Sequence, residues 1–319
     1  MSNPFLNPPQ YPSSFTRRQF LRHTGFALAA GAITPSARTF GGVAEEAGAT
    51  AKKALVGSSI CIWSQCAERD HKNLDVQEVI SALRDSGYDY LEKTFDVGRP
   101  DENARFAAQL RAKGLQPTSL YTSGRLHEAC AGKAVVTSVL DAAKVAQQAG
   151  FSIICCNPDP IDREKTDEEL ANQASALTDL GQGLNAMGMR LAIHQHVAEM
   201  ANHAREFHSN FRHTDPAIVG WCYDVHWVWR GGVMPLDGLK EYGSRVVTWH
   251  LRQSRDGIWW EELAAGDIDY EAVAAYSKVH CLARRFSVEL ALEPGTKITR
   301  SLVENHRRSR EFVRRVFES

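Results

Sequence analysis

Three stretches of the chain read GMRLAIHQHVAEM over residues 188–200, VGWCYDVHWVWRGG over residues 219–232 and RVVTWHLRQS over residues 245–254. Each stretch is a short apolar run that ends in histidine or carboxylate residues, and helix-length segments separate the runs. Strand-length apolar runs that alternate with helical segments indicate a parallel sheet. We therefore predict that the polar strand ends meet at one end of a parallel barrel and form a metal site there.

The same alternation extends over residues 50–319, which we predict to form a single-domain α/β fold, a (β/α)8 TIM barrel. The predicted strands cover residues 56–63, 88–95, 116–122, 151–157, 189–196, 218–226, 246–252 and 286–293. The predicted helices include residues 76–86, 102–113, 134–149, 167–187, 270–282 and 301–317. A doubly wound open sheet is the alternative, but it normally has a glycine-rich phosphate-binding turn after its first strand. The sequence has no such turn there.

Residues 1–49 form a separate segment, which we predict to be an export signal and linker. The stretch TRRQFLRHTGFALAAGAITPSA, residues 16–37, places Arg17 and Arg18 ahead of a short apolar segment. It resembles a twin-arginine signal, with a basic tail as the alternative. The apolar segment is far shorter than the roughly 20 residues of a membrane helix, so we predict no stable membrane span in the mature chain. We expect export, to the periplasm.

The overall composition is that of an ordinary globular protein, with a net charge of −1, 43% hydrophobic residues and 24% charged residues. This balance of charge argues against a dedicated nucleic-acid binder, which needs a surplus of Lys and Arg. It favours a small, neutral or weakly charged ligand. The sequence leaves homo-oligomerisation open.

The cysteines show no Cys-x-x-Cys pair, and their number is odd, at seven. Neither a disulfide framework nor a thiolate zinc site is therefore predicted. We interpret them as core residues, because a free cysteine behaves as a small hydrophobic side chain. They are Cys61, Cys66, Cys130, Cys155, Cys156, Cys222 and Cys281.

Polar residues two positions apart share a face of a strand. On this rule four pairs share a face: His194 with His196, Asp224 with His226, His250 with Arg252, and Glu289 with Glu293. If the apolar residues between them face the helices, all these groups converge on one cavity. So many buried ionisable groups are costly unless they pair or bind a metal.

Five segments, in this order and spacing, resemble the sugar isomerase and epimerase superfamily with a xylose isomerase-like barrel. They are HQHVAE (194–199), CYDVHWVWRGG (222–232), WHLRQS (249–254), GDIDY (266–270) and SVELALE (287–293). The resemblance implies a divalent ion, usually manganese, magnesium or cobalt, held at the ends of the fifth to eighth strands. The matching metal-ligand positions are His194, Asp224, His250 and Glu289. Zinc also suits oxygen and imidazole ligands, and we favour manganese.

Two positions depart from the superfamily pattern. His194 stands where many epimerases have a glutamate that serves as ligand and base. The His-x-His followed by Glu199 instead resembles members that act on inosose or 3-keto sugars. On the sixth strand, Asp224-Val-His226 replaces the commoner Asp-x-x-His, and Trp227 takes the usual histidine position.

The expected chemistry is proton transfer next to a carbonyl. It creates an enediolate, which a divalent cation stabilises as a Lewis acid. A carboxylate or imidazole removes the proton, and a second group can return it. We assign this catalytic role to His194, His196 and Glu289, and leave open whether His194 is a ligand or the base.

A further group of residues is predicted to bind the substrate, a small sugar or keto sugar. Tryptophans at strand ends and in the loops beyond them suit the apolar faces of sugar rings, with loop packing as the alternative. The predicted substrate-binding residues are Trp63, Glu92, Asn157, Glu199, His226, Trp227, Arg252 and Trp259.

The sequence therefore predicts a metal-dependent isomerase or epimerase of a keto sugar. A lyase or dehydratase that acts on an inosose or a 3-keto-glycoside is the first alternative, because it begins with the same proton removal. A noncatalytic sugar-binding barrel is the second alternative.

Overall fold

Eight parallel strands close into a barrel in the computed structural model, which describes residues 53–319. The barrel strands are β1 (Leu55–Ser59), β2 (Tyr90–Thr94), β3 (Ser119–Gly124), β4 (Ile153–Pro158), β5 (Arg190–Ile193), β6 (Val219–Asp224), β7 (Val246–Leu251) and β10 (Arg285–Val288). β1 pairs with both β2 and β10, which closes the barrel. A short antiparallel hairpin of β8 (Ser254–Arg255) and β9 (Ile258–Trp259) follows β7. The predicted TIM barrel is confirmed.

Helices alternate with the strands. They are α1 (Cys61–Arg69), α2 (Val76–Asp85), α3 (Pro100–Ala112), α4 (Ala129–Gln148), α5 (Asp167–Ala186), α6 (Ala201–Arg212), α7 (Val225–Arg230), α8 (Pro235–Tyr242), α9 (Tyr270–Val279) and α10 (Leu302–Phe317). α5 shows how the local sequence sets these bounds. Thr166 and Glu169 form a capping box at its start, and Gly188 follows its end with a left-handed φ of +72°.

All eight strands are shorter than predicted, and at the ends of two of them polar side chains bind the first turn of a helix. β1 stops at Ser59, whose hydroxyl accepts the N–H of Cys61 at 3.2 Å, and α1 begins there. β6 stops at Asp224, whose carboxylate accepts the N–H of Trp227 at 2.8 Å, and α7 begins there. The prediction that residues 56–63 and 218–226 are entirely strand is therefore wrong. Trp63, His226 and Trp227 lie on helices.

The main apolar core lies between the strands and the surrounding helices, and Trp221 and Trp249 are fully buried in it. A separate, smaller cluster fills the barrel interior, and it includes Cys155 and Cys222. Cys130 and Cys281 are exposed, so the interpretation of all seven cysteines as core residues is wrong for these two.

The predicted export signal, residues 1–49, lies outside the described residues. Among residues 53–319, no helix combines the length and the apolar character needed to cross a bilayer.

Candidate metal centre

Four side chains from neighbouring strands meet at the carboxyl end of the barrel. His194 follows β5, Asp224 ends β6, His250 lies on β7 and Glu289 follows β10. Each offers one nitrogen or oxygen atom, and these four atoms all lie within 4.8 Å of one another. His194, Asp224 and His250 are at most 2% exposed. Two carboxylates and two imidazoles in this arrangement suit a divalent cation.

The orientation of His194 supports this fit. Asn157 donates from Nδ2 to the Pro158 carbonyl at 2.7 Å and to Glu199 at 3.2 Å, so its Oδ1 faces His194 Nδ1 at 3.3 Å. Nδ1 of His194 therefore carries the proton, and Nε2 presents its lone pair. Nε2 lies 3.4 Å from Oδ2 of Asp224 and has no hydrogen-bond partner among residues 53–319. Two acceptor atoms that face each other in this way can both bind one cation placed between them.

His250 lies between two carboxylates. Its Nδ1 is 3.0 Å from Oε2 of Glu289, and its Nε2 is 2.8 Å from Oε1 of Glu92. Burial alone would lower the pKa of His250, but Glu289 and Glu92 outweigh it and hold that pKa well above its usual value. Glu92 also accepts the hydroxyl of Ser119 at 2.5 Å. We predicted Glu92 as a substrate contact, and the structure places it against His250.

Arg252 is the buried counter-ion of this cluster. Its Nη2 donates to Oδ2 of Asp224 at 2.6 Å and to Oε2 of Glu289 at 3.2 Å. Burial raises the pKa of Asp224, but Arg252 and His194 more than offset it, so the pKa of Asp224 lies below its usual value. The guanidinium of Arg252 also lies 4.5 Å from the ring centre of Trp259 and 5.1 Å from that of Trp227. The carboxylates and the two indole rings together hold the guanidinium of Arg252 in place.

His196 lies beside the four-residue cluster. Its ring is 4.7 Å from that of His194 and 5.5 Å from that of Trp227. Burial lowers the pKa of His196 to about 3, so the imidazole is neutral at physiological pH and can accept a proton. Oε2 of Glu199 accepts the backbone N–H of His196 at 2.7 Å, and burial raises the pKa of Glu199 to about 7. Glu199 therefore orients the segment that carries both histidines.

His226 does not share a strand face with Asp224, because it lies on α7. Its fully buried ring packs 5.3 Å from Trp229 and 6.1 Å from Trp259. Within the described part of the chain, neither ring nitrogen has a hydrogen-bond partner. The predicted pairing of Asp224 and His226 across one strand face is wrong for this reason. Trp227 and Trp259 do meet, with ring centres 5.3 Å apart.

Trp63, another predicted substrate contact, has a different environment. It lies on α1, and its ring stacks on that of His306 at 4.8 Å. This stacking joins the first and last helices of the barrel. It places the indole against α10 and not in the aromatic group formed by Trp227 and Trp259.

Two contributors to the site were missed in the sequence. Gln195 accepts the indole N–H of Trp221 at 2.8 Å and donates to the carbonyl of Asp224 at 3.0 Å, so it fixes the end of β6. Its position inside the His-x-His segment is the signal that would have found it. The second is the ion pair of Arg230 with Glu293, at 2.7 and 2.9 Å. Glu293 also accepts the backbone N–H of Trp259 at 2.7 Å.

Sequence comparison identifies relatives over part of the chain. The chain is 28% identical to inosose dehydratase 2 of Bacillus cereus over 117 residues, which cover 36% of this chain and 39% of that protein. An inosose dehydratase from a second strain of Bacillus cereus gives the same identity and coverage. The chain thus spans about two fifths of the length of these relatives.

Solved structures resemble the chain over most of its length. A sugar phosphate isomerase/epimerase from Parabacteroides distasonis ATCC 8503 has a TM-score of 0.67 at 16% identity and covers 85% of this chain and 96% of its own. An IolI protein with a bound zinc atom has a TM-score of 0.64 at 17% identity, covering 83% and 98%. An L-ribulose 3-epimerase has a TM-score of 0.62 at 15% identity, covering 83% and 95%. At these identities the similarity supports the fold alone.

The family assignment rests on a match that spans most of the barrel. The family model for a xylose isomerase-like TIM barrel matches residues 80–278. This range runs from α2 to α9 and includes three of the four clustered side chains, His194, Asp224 and His250. The chain belongs to the xylose isomerase-like TIM barrel family.

Proposed function

We propose that this chain is a divalent-metal-dependent enzyme that isomerises or epimerises a keto sugar. The observation that carries the proposal is the group of four ligand atoms, from His194, Asp224, His250 and Glu289, within 4.8 Å at the carboxyl end of the barrel. In TIM-barrel enzymes this end holds the active site. A divalent ion held by these side chains supplies Lewis-acid stabilisation of negative charge on the substrate oxygens, and we favour manganese.

One side chain of the cluster and one beside it have the chemistry for proton transfer. His196 is half-buried and holds a neutral imidazole, and Glu289 holds a carboxylate whose pKa His250 and Arg252 keep low against the opposing effect of burial. Either group can accept the proton from the carbon next to the substrate carbonyl, and the protonated group can return it to a neighbouring carbon. Which of the two groups removes the proton and which returns it depends on the side of the substrate that faces each group.

The aromatic group suits a sugar. Trp227 and Trp259 present indole rings near the cluster, and Arg252 lies between them and the carboxylates of Asp224 and Glu289. Sugars bind through apolar ring faces and hydroxyl edges, which match indoles and charged groups respectively. A sugar phosphate isomerase/epimerase and an L-ribulose 3-epimerase among the structural neighbours support this substrate class.

A second candidate is elimination, in which proton removal is followed by loss of water or an aglycone. The observation that favours it is the replacement of a carboxylate by an imidazole at His194, with a second imidazole at His196. An imidazole that has accepted a proton can act as the general acid that donates it to the leaving oxygen. The relatives named inosose dehydratase support this alternative.

Solvent deuterium distinguishes these candidates. The manganese-loaded protein is incubated in deuterated water with a panel of keto sugars, inososes and 3-keto-glycosides. Carbon-bound deuterium in an intact skeleton supports isomerisation or epimerisation, whereas release of water or aglycone supports elimination. The chelator-treated protein and the His196→Gln variant are the controls, and both should lose the reaction. Sugar binding that survives chelation, with no turnover by the loaded protein, would support the noncatalytic barrel instead.

We also propose that the protein is exported to the periplasm. The support is the sequence of residues 16–37, with Arg17 and Arg18 ahead of an apolar segment. A reporter fused after residue 49 should be exported by a twin-arginine system, and replacement of both arginines by lysine should stop it. Export that persists in this variant would remove the proposal.

A further inference from the structure

The barrel interior carries polar donors one layer below the proposed ligands. Cys222 precedes Asp224 by two residues on β6, so both side chains share the interior face. Cys155 lies on β4, and its sulfur, the sulfur of Cys222 and a ring nitrogen of His250 all lie within 4.8 Å of one another. All three residues are at most 1% exposed.

Glu92 adds a fourth donor to this group. Its Oε1 lies 2.8 Å from Nε2 of His250, and its Oε2 lies 3.4 Å from the sulfur of Cys155. His250 and Glu92 are both almost completely buried, at 1% exposed each. Two sulfurs, one imidazole nitrogen and one carboxylate oxygen are therefore close together in a space closed to solvent.

This layer differs from an ordinary barrel interior. Such layers are usually filled by bulky branched apolar side chains, and a buried carboxylate there is costly. Cys156, the next residue on β4, shows the contrast, because it faces outward into the apolar core between strands and helices. Cys155 also has apolar neighbours in the barrel interior, but its sulfur lies 3.4 Å from the buried carboxylate of Glu92.

We propose that Cys155, Cys222 and His250, with Glu92 as the fourth donor, form a second cation site that selects a thiophilic divalent ion such as Zn²⁺ or Cd²⁺. Thiolate ligands favour these ions over manganese and magnesium, which prefer oxygen. Because His250 also belongs to the proposed catalytic cluster, occupancy of the second site excludes the catalytic ion. This exclusion rests on the proposed function; the binding of a thiophilic ion does not.

Binding of an ion to the second site releases protons. A cysteine thiol has an ordinary pKa of about 8.5, so both thiols are neutral near pH 7 before an ion enters. Each thiol that becomes a ligand releases one proton to solvent, and His250, whose pKa Glu289 and Glu92 raise, releases one more. The two thiolates then neutralise the divalent charge, and Glu92 keeps its own negative charge. No oxidant or reductant takes part.

Cadmium titration tests the second site. The full-length protein, treated with a chelator, is titrated with Cd²⁺ while the ultraviolet thiolate-to-cadmium charge-transfer absorbance is recorded. The wild type should gain this absorbance up to a single Cd²⁺ per chain. Cys155→Ala and Cys222→Ala should each lose most of it, and Cys156→Ala, the adjacent buried control, should keep it. Equal loss in Cys156→Ala, or retention in the Cys155→Ala and Cys222→Ala double variant, would overturn the proposal.

A measurement on the wild type keeps the test valid if an alanine variant does not fold. X-ray absorption of the Cd²⁺-loaded protein should show two sulfur neighbours, and a shell of nitrogen and oxygen alone would overturn the proposal.

The sharing of His250 between the two sites is tested separately, by electron paramagnetic resonance of bound Mn²⁺. Cd²⁺ should release bound Mn²⁺ from the wild type and not from the double cysteine variant. Cd²⁺ binding without Mn²⁺ release would overturn the shared ligand, and a wild type that never binds Mn²⁺ would instead count against the proposed function.

Discussion

The guanidinium of Arg252 donates to the carboxylate of Asp224 at 2.6 Å, and both side chains are almost completely buried. The same nitrogen reaches Glu289 at 3.2 Å. Arg252 is therefore the fixed positive charge that balances the two carboxylates assigned as metal ligands. Its effect on stability should depend on whether a metal ion is bound.

The first prediction concerns Arg252→Met. Removal of one partner of a buried ion pair costs about 3–5 kcal/mol, because the other charge stays buried. We expect the metal-free variant to melt well below the wild type, and Mn²⁺ to raise the Tm of the variant more than that of the wild type, since the ion replaces the lost charge. Thermal melts with and without Mn²⁺ measure this. Arg255→Met, an exposed change on the hairpin, is the control. Equal Mn²⁺-induced shifts in Arg252→Met and wild type would count against the balance of charge described above.

The second prediction separates the two histidines that follow β5. His194 lies in the four-atom cluster, whereas His196 lies beside it. We expect His194→Gln to lose metal affinity, and His196→Gln to retain the metal while turnover falls by about 10²–10⁴-fold, the usual effect of losing a general base. Metal content and turnover of the two variants are measured side by side. Retention of metal by His194→Gln with loss of turnover would make His194 the base.

The third prediction concerns acid stability and His306. This buried residue lies 3.1 Å from the hydroxyl of Ser58, and burial lowers its pKa to about 4. An unfolded histidine has a pKa near 6.5, so between about pH 6.5 and 4 only the unfolded state binds the proton. The contribution to stability is therefore complete above about pH 6.5, and about 3 kcal/mol is lost as the pH falls to about 4.

Urea unfolding of wild type and His306→Gln at about pH 7 and about pH 5 measures this loss. The variant should lose less stability on acidification than the wild type does, because its side chain takes up no proton. His280→Gln, at an exposed position, is the control. The same acid dependence in His306→Gln and wild type would show that another group is responsible.

The fourth prediction concerns the loop contact between Arg230 and Glu293. Glu293 binds Arg230 through two hydrogen bonds and also holds the backbone of Trp259. The pair is partly exposed, so Glu293→Gln should cost about 1 kcal/mol of substrate binding, or roughly a fivefold rise in KM, with little change in kcat. Steady-state kinetics measure this, with the exposed Glu271→Gln as the control. A fall in kcat at unchanged KM would instead give Glu293 a role in the reaction itself.

The barrel was predictable from local patterns in the sequence, whereas the four site residues were selected by the resemblance to the sugar isomerase and epimerase superfamily. Strand-length runs alternate with helical ones, and His250 and Glu289 each stand at a strand end where the interior face is polar. The start of α1 and of α7 was not predictable in this way. Ser59 accepts the N–H of the first residue of α1, and Asp224 caps α7. A polar residue at a strand end looks the same in the sequence whether the chain then turns or continues.

Contacts between residues far apart in the chain could not be predicted from the sequence for another reason. Glu92 contacts His250, and Arg230 pairs with Glu293, across strand registers and loops that no local pattern encodes. The approach of Cys155 to His250 is of the same kind, because it depends on which layer of the barrel each side chain occupies.

The fifth prediction tests the proposed metal centre most directly. It compares the divalent metal content of the purified, manganese-reconstituted wild type with that of the Asp224→Asn variant. The wild type should hold about one ion per chain after removal of free metal. Asp224→Asn should hold almost none, because the variant lacks one of the two carboxylates that neutralise the ion. Its far-ultraviolet circular dichroism should still show a folded barrel. Asp237→Asn, at an exposed position, should match the wild type. A wild type that retains no ion, or an Asp224→Asn variant that retains the wild-type content, would contradict the proposed metal centre.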